Sequence, residues 1–216
     1  MNGPSIAVVL AGGEGRRMGG SKPTRRLGGT TLIGRALELA RSYAVHVAVA
    51  VREESQAPGV AARLLLDDPA IEGPLAGLAS ALRFAREMGA DHLLTLPCDT
   101  PRLPADFAAR LSSARPATAV VARSGGRLHP VCALWSLRVL DALPAYLASG
   151  RRSLRGLAET VGMTVVDWPL TASDPFANAN TPEELAALQP RPGAAAFQAW
   201  PGPALGPARA WAGRRL

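Results

Sequence analysis

With 216 residues, 48% of them hydrophobic, the chain can bury a core without a metal or disulfide staple, and no apolar run approaches the roughly 20 residues that span a bilayer. The net charge of +7 points to an anionic ligand, but four of those charges are Arg191, Arg209, Arg214 and Arg215 in an acid-free C-terminal stretch, and the remaining +3 speaks against nucleic acid as a partner. Cys98, Cys132 and the scattered His46, His92 and His129 have no metal-ligand spacing, and no secretory signal is visible, so a cytoplasmic protein with buried free thiols is expected.

Residues 5–11 (SIAVVLA) form a nearly continuous apolar run, the pattern of a strand buried on both faces of a parallel sheet. A helix is expected over about 31–43, with Leu32, Ile33, Ala36, Leu37 and Ala40 as its apolar face. Strands follow at 45–51 and 61–66, then a helix over 74–88 stopped by Gly89. Residues 91–96 read as a strand, 105–111 as a short helix, 117–122 and 129–135 as strands, 136–148 as a helix and 164–168 as a late strand. A last helix starts at Thr181, with Pro182 in its first position and Glu184 completing a capping box. The alternation predicts a three-layer α/β domain over residues 1–189 with a mostly parallel sheet. Residues 190–216, dominated by Pro, Gly, Ala and Arg, carry no apolar periodicity and are expected to form a flexible tail.

Six segments have the composition for chemistry. Leu10 to Lys22 follows the first strand, where parallel sheets bind ligands. Gly12, Gly13 and Gly15 let backbone N–H groups approach phosphate oxygens, and Arg16, Arg17 and Lys22 add positive charge. The glycine spacing fits neither a Walker A loop nor GxGxxG. Asp99, in LPCDTP after a strand, is placed to hold Mg²⁺ against phosphates, although an Asp there also serves as a turn residue. Asp67, followed by Gly73-Pro74-Leu75-Ala76-Gly77, reads either as a turn before a closely packed helix or as part of a nucleotide pocket. Arg127 to Trp135 (RLHPVCALW) is the fourth segment. In the fifth, Arg151, Arg152 and Arg155 read as an anion site near a helix start or as an exposed basic face. In the sixth, Asn178 and Asn180 alternate, so both can face one side of an extended segment, as neutral amides suited to recognition.

In this order, LAGGEGRRMGGSK, DDPAIEGPLAG, PCDTP, HPVCALW and NANTPEEL resemble the molybdenum cofactor guanylyltransferases, the MobA-like proteins, over about residues 5–188. The resemblance implies a Rossmann-like GT-A nucleotidyltransferase fold that uses Mg²⁺ and GTP. It implies molybdopterin cofactor as acceptor, with molybdoenzymes or cofactor-delivery proteins as further partners. Carried over residue by residue, Leu10, Ala11, Gly12, Gly13 and Gly15 lie against the nucleotide, and Lys22, with Arg16, acts on the phosphates. Asp67 lies in the nucleotide pocket, Asp99 binds the metal, and Arg151 or Arg152 with Asn178 and Asn180 faces the pterin substrate. Three positions depart from the family pattern: Ser21 stands where Asp precedes the lysine in a loop one residue longer, Pro23-Thr24-Arg25-Arg26 replaces apolar residues, and Arg52-Glu53-Glu54 follows the second strand where an Asn is frequent. Two rival readings stand beside this one: a CTP-dependent or sugar- or cofactor-directed nucleotidyltransferase of the same fold, and a nucleotide-binding paralogue without turnover.

Overall fold

Alternation of apolar residues along the first strand decides the layering. The computed structural model describes residues 4–13, 22–114, 117–170 and 174–189. In β1 (Ile6–Leu10), Ile6 and Val8 face one core while Ala7 and Val9 face the other, so both sides of the strand are covered. It pairs in parallel with β4 (His46–Val51) and with β6 (His92–Pro97), and β4 pairs in parallel with the edge strand β5 (Arg63–Leu66). Beyond β6 come β8 (Arg127–Ser136), β7 (Ala119–Ser124) and β9 (Met163–Trp168), giving a seven-stranded sheet in the order β5-β4-β1-β6-β8-β7-β9. A separate two-stranded ribbon joins β2 (Arg26–Leu27) to β3 (Thr30–Thr31).

The sheet is parallel except for β8, which runs against both neighbours. The cause is local. Gly125 and Gly126 both have positive φ, 52° and 77°, which suits the tight hairpin turn between β7 and β8. A register shift between Val121 and Ala122 bends the ribbon.

Helices cover both faces. Helix α1 (Leu32–Tyr43) and α3 (Phe107–Ser113) pack on one side; α2 (Pro74–Glu87), α4 (Val139–Ala148) and α5 (Leu154–Val161) pack on the other. Leu32, Ile33, Ala36, Leu37 and Ala40 are the buried face of α1, as their spacing predicts. Each large side chain buried in this way contributes about 1.5–3 kcal/mol. Helix α6 (Pro182–Ala187) lies apart, burying Leu185 against Leu27, Leu32 and Ala179. Among the described residues, no helix is long and apolar enough to cross a membrane. Residues 190–216 lie outside the described residues.

The chain runs outward from β1 to β4 and β5, then returns past β1 to β6. The carboxyl ends of β1 and β6 therefore diverge into loops on either side of a crevice, the place where such sheets bind ligands. Segment 174–180 is tied across this end. Phe176 is buried among Phe107, Trp168 and His129, with ring centroids 6.1, 5.2 and 4.7 Å away.

Candidate active site

At the switch point, a cavity of about 330 Å³ is lined by Leu10, Ala11, Gly12 and Gly13 from the end of β1 and by Pro97, Cys98 and Asp99 from the end of β6. Arg52, Asp67, Gly73, Gly77, Lys22 and Val131 are among the other residues that line it. Strand ends supply these residues because the loops after β1, β4, β5 and β6 leave the sheet on one side.

Lys22 lies in a short 3₁₀ turn over Lys22–Thr24. Its Nζ donates to Asp99 Oδ2 at 2.6 Å and to Asn180 Oδ1 at 2.7 Å. Side-chain exposures of 12% for Lys22 and 16% for Asp99 make this a substantially desolvated pair, stronger than a surface ion pair. The Thr100 hydroxyl donates to Asn178 Oδ1 at 2.9 Å, and Ala179 N–H donates to the Asp99 carbonyl at 2.9 Å. Both asparagines thus turn toward the end of β6, on one side of their segment as the alternation implies. Thr100 and the lysine–asparagine contact were not legible in the sequence, where residues 22, 99–100 and 178–180 lie far apart.

Asp67 sits beneath Gly12. A Cβ built on Gly12 would lie 2.5 Å from Asp67 Oδ2, and one on Gly77 would lie 3.0 Å from Oδ1. Two glycines therefore make room for one carboxylate. Gly13 has no such constraint, since a Cβ there would meet nothing. Asp67 Oδ1 is buried without a hydrogen-bond partner among the described residues. Burial raises the Asp67 carboxyl above its ordinary range, and the positive charge of Arg52 opposes the shift.

Cys98 also lines the cavity. Burial first, then the neighbouring Asp99, pushes its thiol up to about 12. Cys132 is raised by burial as well. Strand β8, the HPVCALW segment, is largely structural: His129, Cys132, Leu134 and Trp135 are buried, while Val131 reaches the cavity wall. His129 stacks on Phe176 and shares a 2.8 Å hydrogen bond with Ser124, whose hydroxyl donates to Asp174 at 2.8 Å. Burial, joined by the charge of Arg127 and opposed by Asp174, holds the imidazole below its usual pKa.

Arg151 and Arg152 do not line this cavity. They lie in the exposed loop between α4 and α5; the Arg152 carbonyl is 3.9 Å from the Cβ position of Gly73 at the mouth. Arg152 donates to the Leu147 carbonyl at 2.7 Å, and Arg151 stacks over Tyr146 and donates to the Gly156 carbonyl at 3.1 Å. Helix α5, which holds this loop, was read from the sequence only as a helix start; Ser153 caps it by accepting from Gly156 N–H. Gly15 and Arg16 lie outside the described residues.

A metal can be fitted to this donor set. Among the described residues, no group of three His, Cys, Asp or Glu gathers to cage one. Of the two carboxylates that line the cavity, Asp67 and Asp99, the one at the end of β6 fits a divalent cation that takes its remaining ligands from water and substrate phosphates.

Residues 7–165 match the family model of the MobA-like NTP transferase domain. The chain belongs to this family. Among its relatives, the molybdenum cofactor guanylyltransferase of Cereibacter sphaeroides is 39% identical over 183 residues, covering 84% of this chain and 93% of the relative. That of Sinorhizobium fredii is 37% identical over 196 residues, covering 85% and 90%. The solved structure of molybdopterin-guanine dinucleotide biosynthesis protein A from Archaeoglobus fulgidus superposes with a TM-score of 0.68 at 25% identity, covering 85% of this chain and 96% of that one. The MobA-like fold extends further: 2-C-methyl-D-erythritol 4-phosphate cytidylyltransferase from Thermus thermophilus shares it at a TM-score of 0.58 and 19% identity, covering 87% and 98%. The family places the cavity in a nucleotidyltransferase, so the expected α/β fold and reaction class hold.

Proposed function

We propose that this chain is a molybdenum cofactor guanylyltransferase, transferring GMP from GTP to molybdopterin cofactor with release of pyrophosphate. The observation that carries the reading is the paired Lys22 and Asp99 at the switch point, facing Gly12 and Gly13 across one cavity in a chain of the MobA-like family. An acceptor phosphate attacks the α-phosphorus in line, and pyrophosphate leaves. Both reactants are anionic, so the enzyme must offset their repulsion and align them. Lys22, with Arg16, supplies charge to the phosphates, and Leu10, Ala11, Gly12, Gly13 and Gly15 line the nucleotide. Asp67 accepts a hydrogen bond from a nucleotide N–H or O–H, a reading supported by an Oδ1 that has no partner among the described residues. Asp99 holds Mg²⁺, which when bound neutralises phosphate charge. Asn178 and Asn180 face the acceptor. Their oxygens already accept from Thr100 and Lys22, so their NH₂ groups are the donors left for acceptor oxygens. Arg151 or Arg152, in the loop beside Gly73, serves as a further anion contact for the acceptor. No covalent intermediate is required. In this reading the reaction runs in the cytoplasm, and molybdoenzymes or cofactor-delivery proteins receive the product.

The test is pyrophosphate release from purified protein with Mg²⁺, molybdopterin cofactor and either GTP or CTP. Release with GTP and not CTP is expected; the reverse would overturn the guanylyl assignment and favour a cytidylyltransferase. Asp99→Ala should lower transfer by on the order of a thousandfold. The fold should survive, because Ala179 bonds the Asp99 backbone rather than its side chain. Full turnover in that variant would remove the metal role.

A further inference from the structure

We propose that Asn180 is a positioning residue for Lys22, so that the segment assigned to the acceptor also sets the charge assigned to the nucleotide. The inference rests on the reading of Lys22 as a phosphate contact, and it adds a role that this reading does not contain.

A lysine ammonium is a point charge on a flexible four-carbon stem, and one carboxylate does not fix its position. Here two acceptors from distant parts of the chain hold it: Asp99 Oδ2 at 2.6 Å and Asn180 Oδ1 at 2.7 Å. The Asn180 contact gives the ammonium a partner that does not depend on Asp99. It matters most when the Asp99 carboxylate serves another cation.

Asn180 is itself held from behind. Its backbone N–H donates to Glu184 Oε2 at 2.6 Å, and the preceding Ala179 N–H donates to the Asp99 carbonyl at 2.9 Å. Thr181 then caps α6, and Pro182 opens it. These bonds fix the backbone from which the Asn180 amide projects, so a shift of the helix start also shifts the amide. Residue chemistry agrees with the role. A neutral amide orders the ammonium without placing a second negative charge beside Asp99, where it would repel a triphosphate. The same planar amide carries the NH₂ group, so an acceptor oxygen bound there is held in fixed relation to the Lys22 charge.

The test is a double-mutant cycle on GTP binding, measured by calorimetry in Mg²⁺ without acceptor, so that no turnover enters the readout. The variants are Lys22→Ala, Asn180→Ala, the near-isosteric Asn180→Leu, and each Asn180 change combined with Lys22→Ala. Circular dichroism checks the fold of each, and Asn180→Leu separates loss of the oxygen from loss of volume. Lys22→Ala is expected to weaken binding about tenfold or more, and either Asn180 change about fivefold. In the Lys22→Ala background the Asn180 changes should have less than about a twofold further effect, because the group they position is gone. Multiplying losses, or Asn180 variants that bind like the parent, would overturn the inference while leaving Lys22 as a phosphate contact. Unchanged binding in Lys22→Ala would overturn both.

Discussion

Asp67 occupies the space that a side chain on Gly12 would fill, and the second glycine, Gly77, clears its other oxygen. Asp67 Oδ1 has no hydrogen-bond partner among the described residues, and burial raises the carboxyl's pKa against the opposing charge of Arg52. The consequence for stability has a definite sign. As pH rises through the ordinary value of 3.8, the unfolded chain ionises first, so stability present below that value declines until the folded carboxyl also ionises. Asp67→Asn should therefore raise the thermal midpoint at neutral pH while weakening GTP binding. Scanning calorimetry and GTP titration measure the two effects; a lowered midpoint would show that the carboxylate is structural.

At the scale of elements, α6 is a short helix whose first turn holds Asn180, the residue that bonds Lys22 in the cavity wall. Thr181 accepts from Glu184 N–H at 3.2 Å, and Glu184 accepts from Asn180 N–H, one residue before the position expected from the capping pattern. The reach to Asn180 rather than Thr181 couples the helix cap to the cavity wall. Thr181→Ala should cost about 1 kcal/mol in urea unfolding. It should also weaken GTP binding, because the frayed cap releases Asn180. Loss of stability with intact GTP affinity would separate the cap from the site. The β7–β8 hairpin has a comparable effect on the sheet: two glycines of positive φ reverse the chain and make β8 the antiparallel strand beside β6.

Across the whole molecule, segment 174–180 joins the far half of the sheet to the end of β6. Asp174 and Phe176 anchor it on Ser124 and His129 of the hairpin, and Asn178 and Asn180 reach Thr100 and Lys22. The His129 ring stacks on Phe176 within that packing. Its pKa is held down chiefly by burial, so as pH falls below the ordinary 6.5 the unfolded chain takes up its proton first and stability declines until the folded ring also protonates. Urea midpoints measured between about pH 8 and pH 5 should fall with acid, and His129→Gln should flatten this dependence. An unchanged slope in the variant would place the acid sensitivity elsewhere.

By itself the sequence determined the layers, most of the elements and the reaction class. Apolar periodicity is a local property: the run in β1 and the stripe in α1 are written in consecutive residues, and the ordered segments from LAGG to NANTPEEL carry the family. Only the tertiary structure decided which of those residues meet. The pairing of Lys22 with Asp99 and Asn180 spans 77 and 158 positions. The reason for Gly12 is a carboxylate 55 residues away. Arg151 and Arg152 were legible as charge, but their bonds to α4 and α5 depend on how those helices turn back on each other. Local pattern reflects short-range burial and backbone preference, whereas a site at a topological switch point is assembled from strand ends that become neighbours only when the sheet closes.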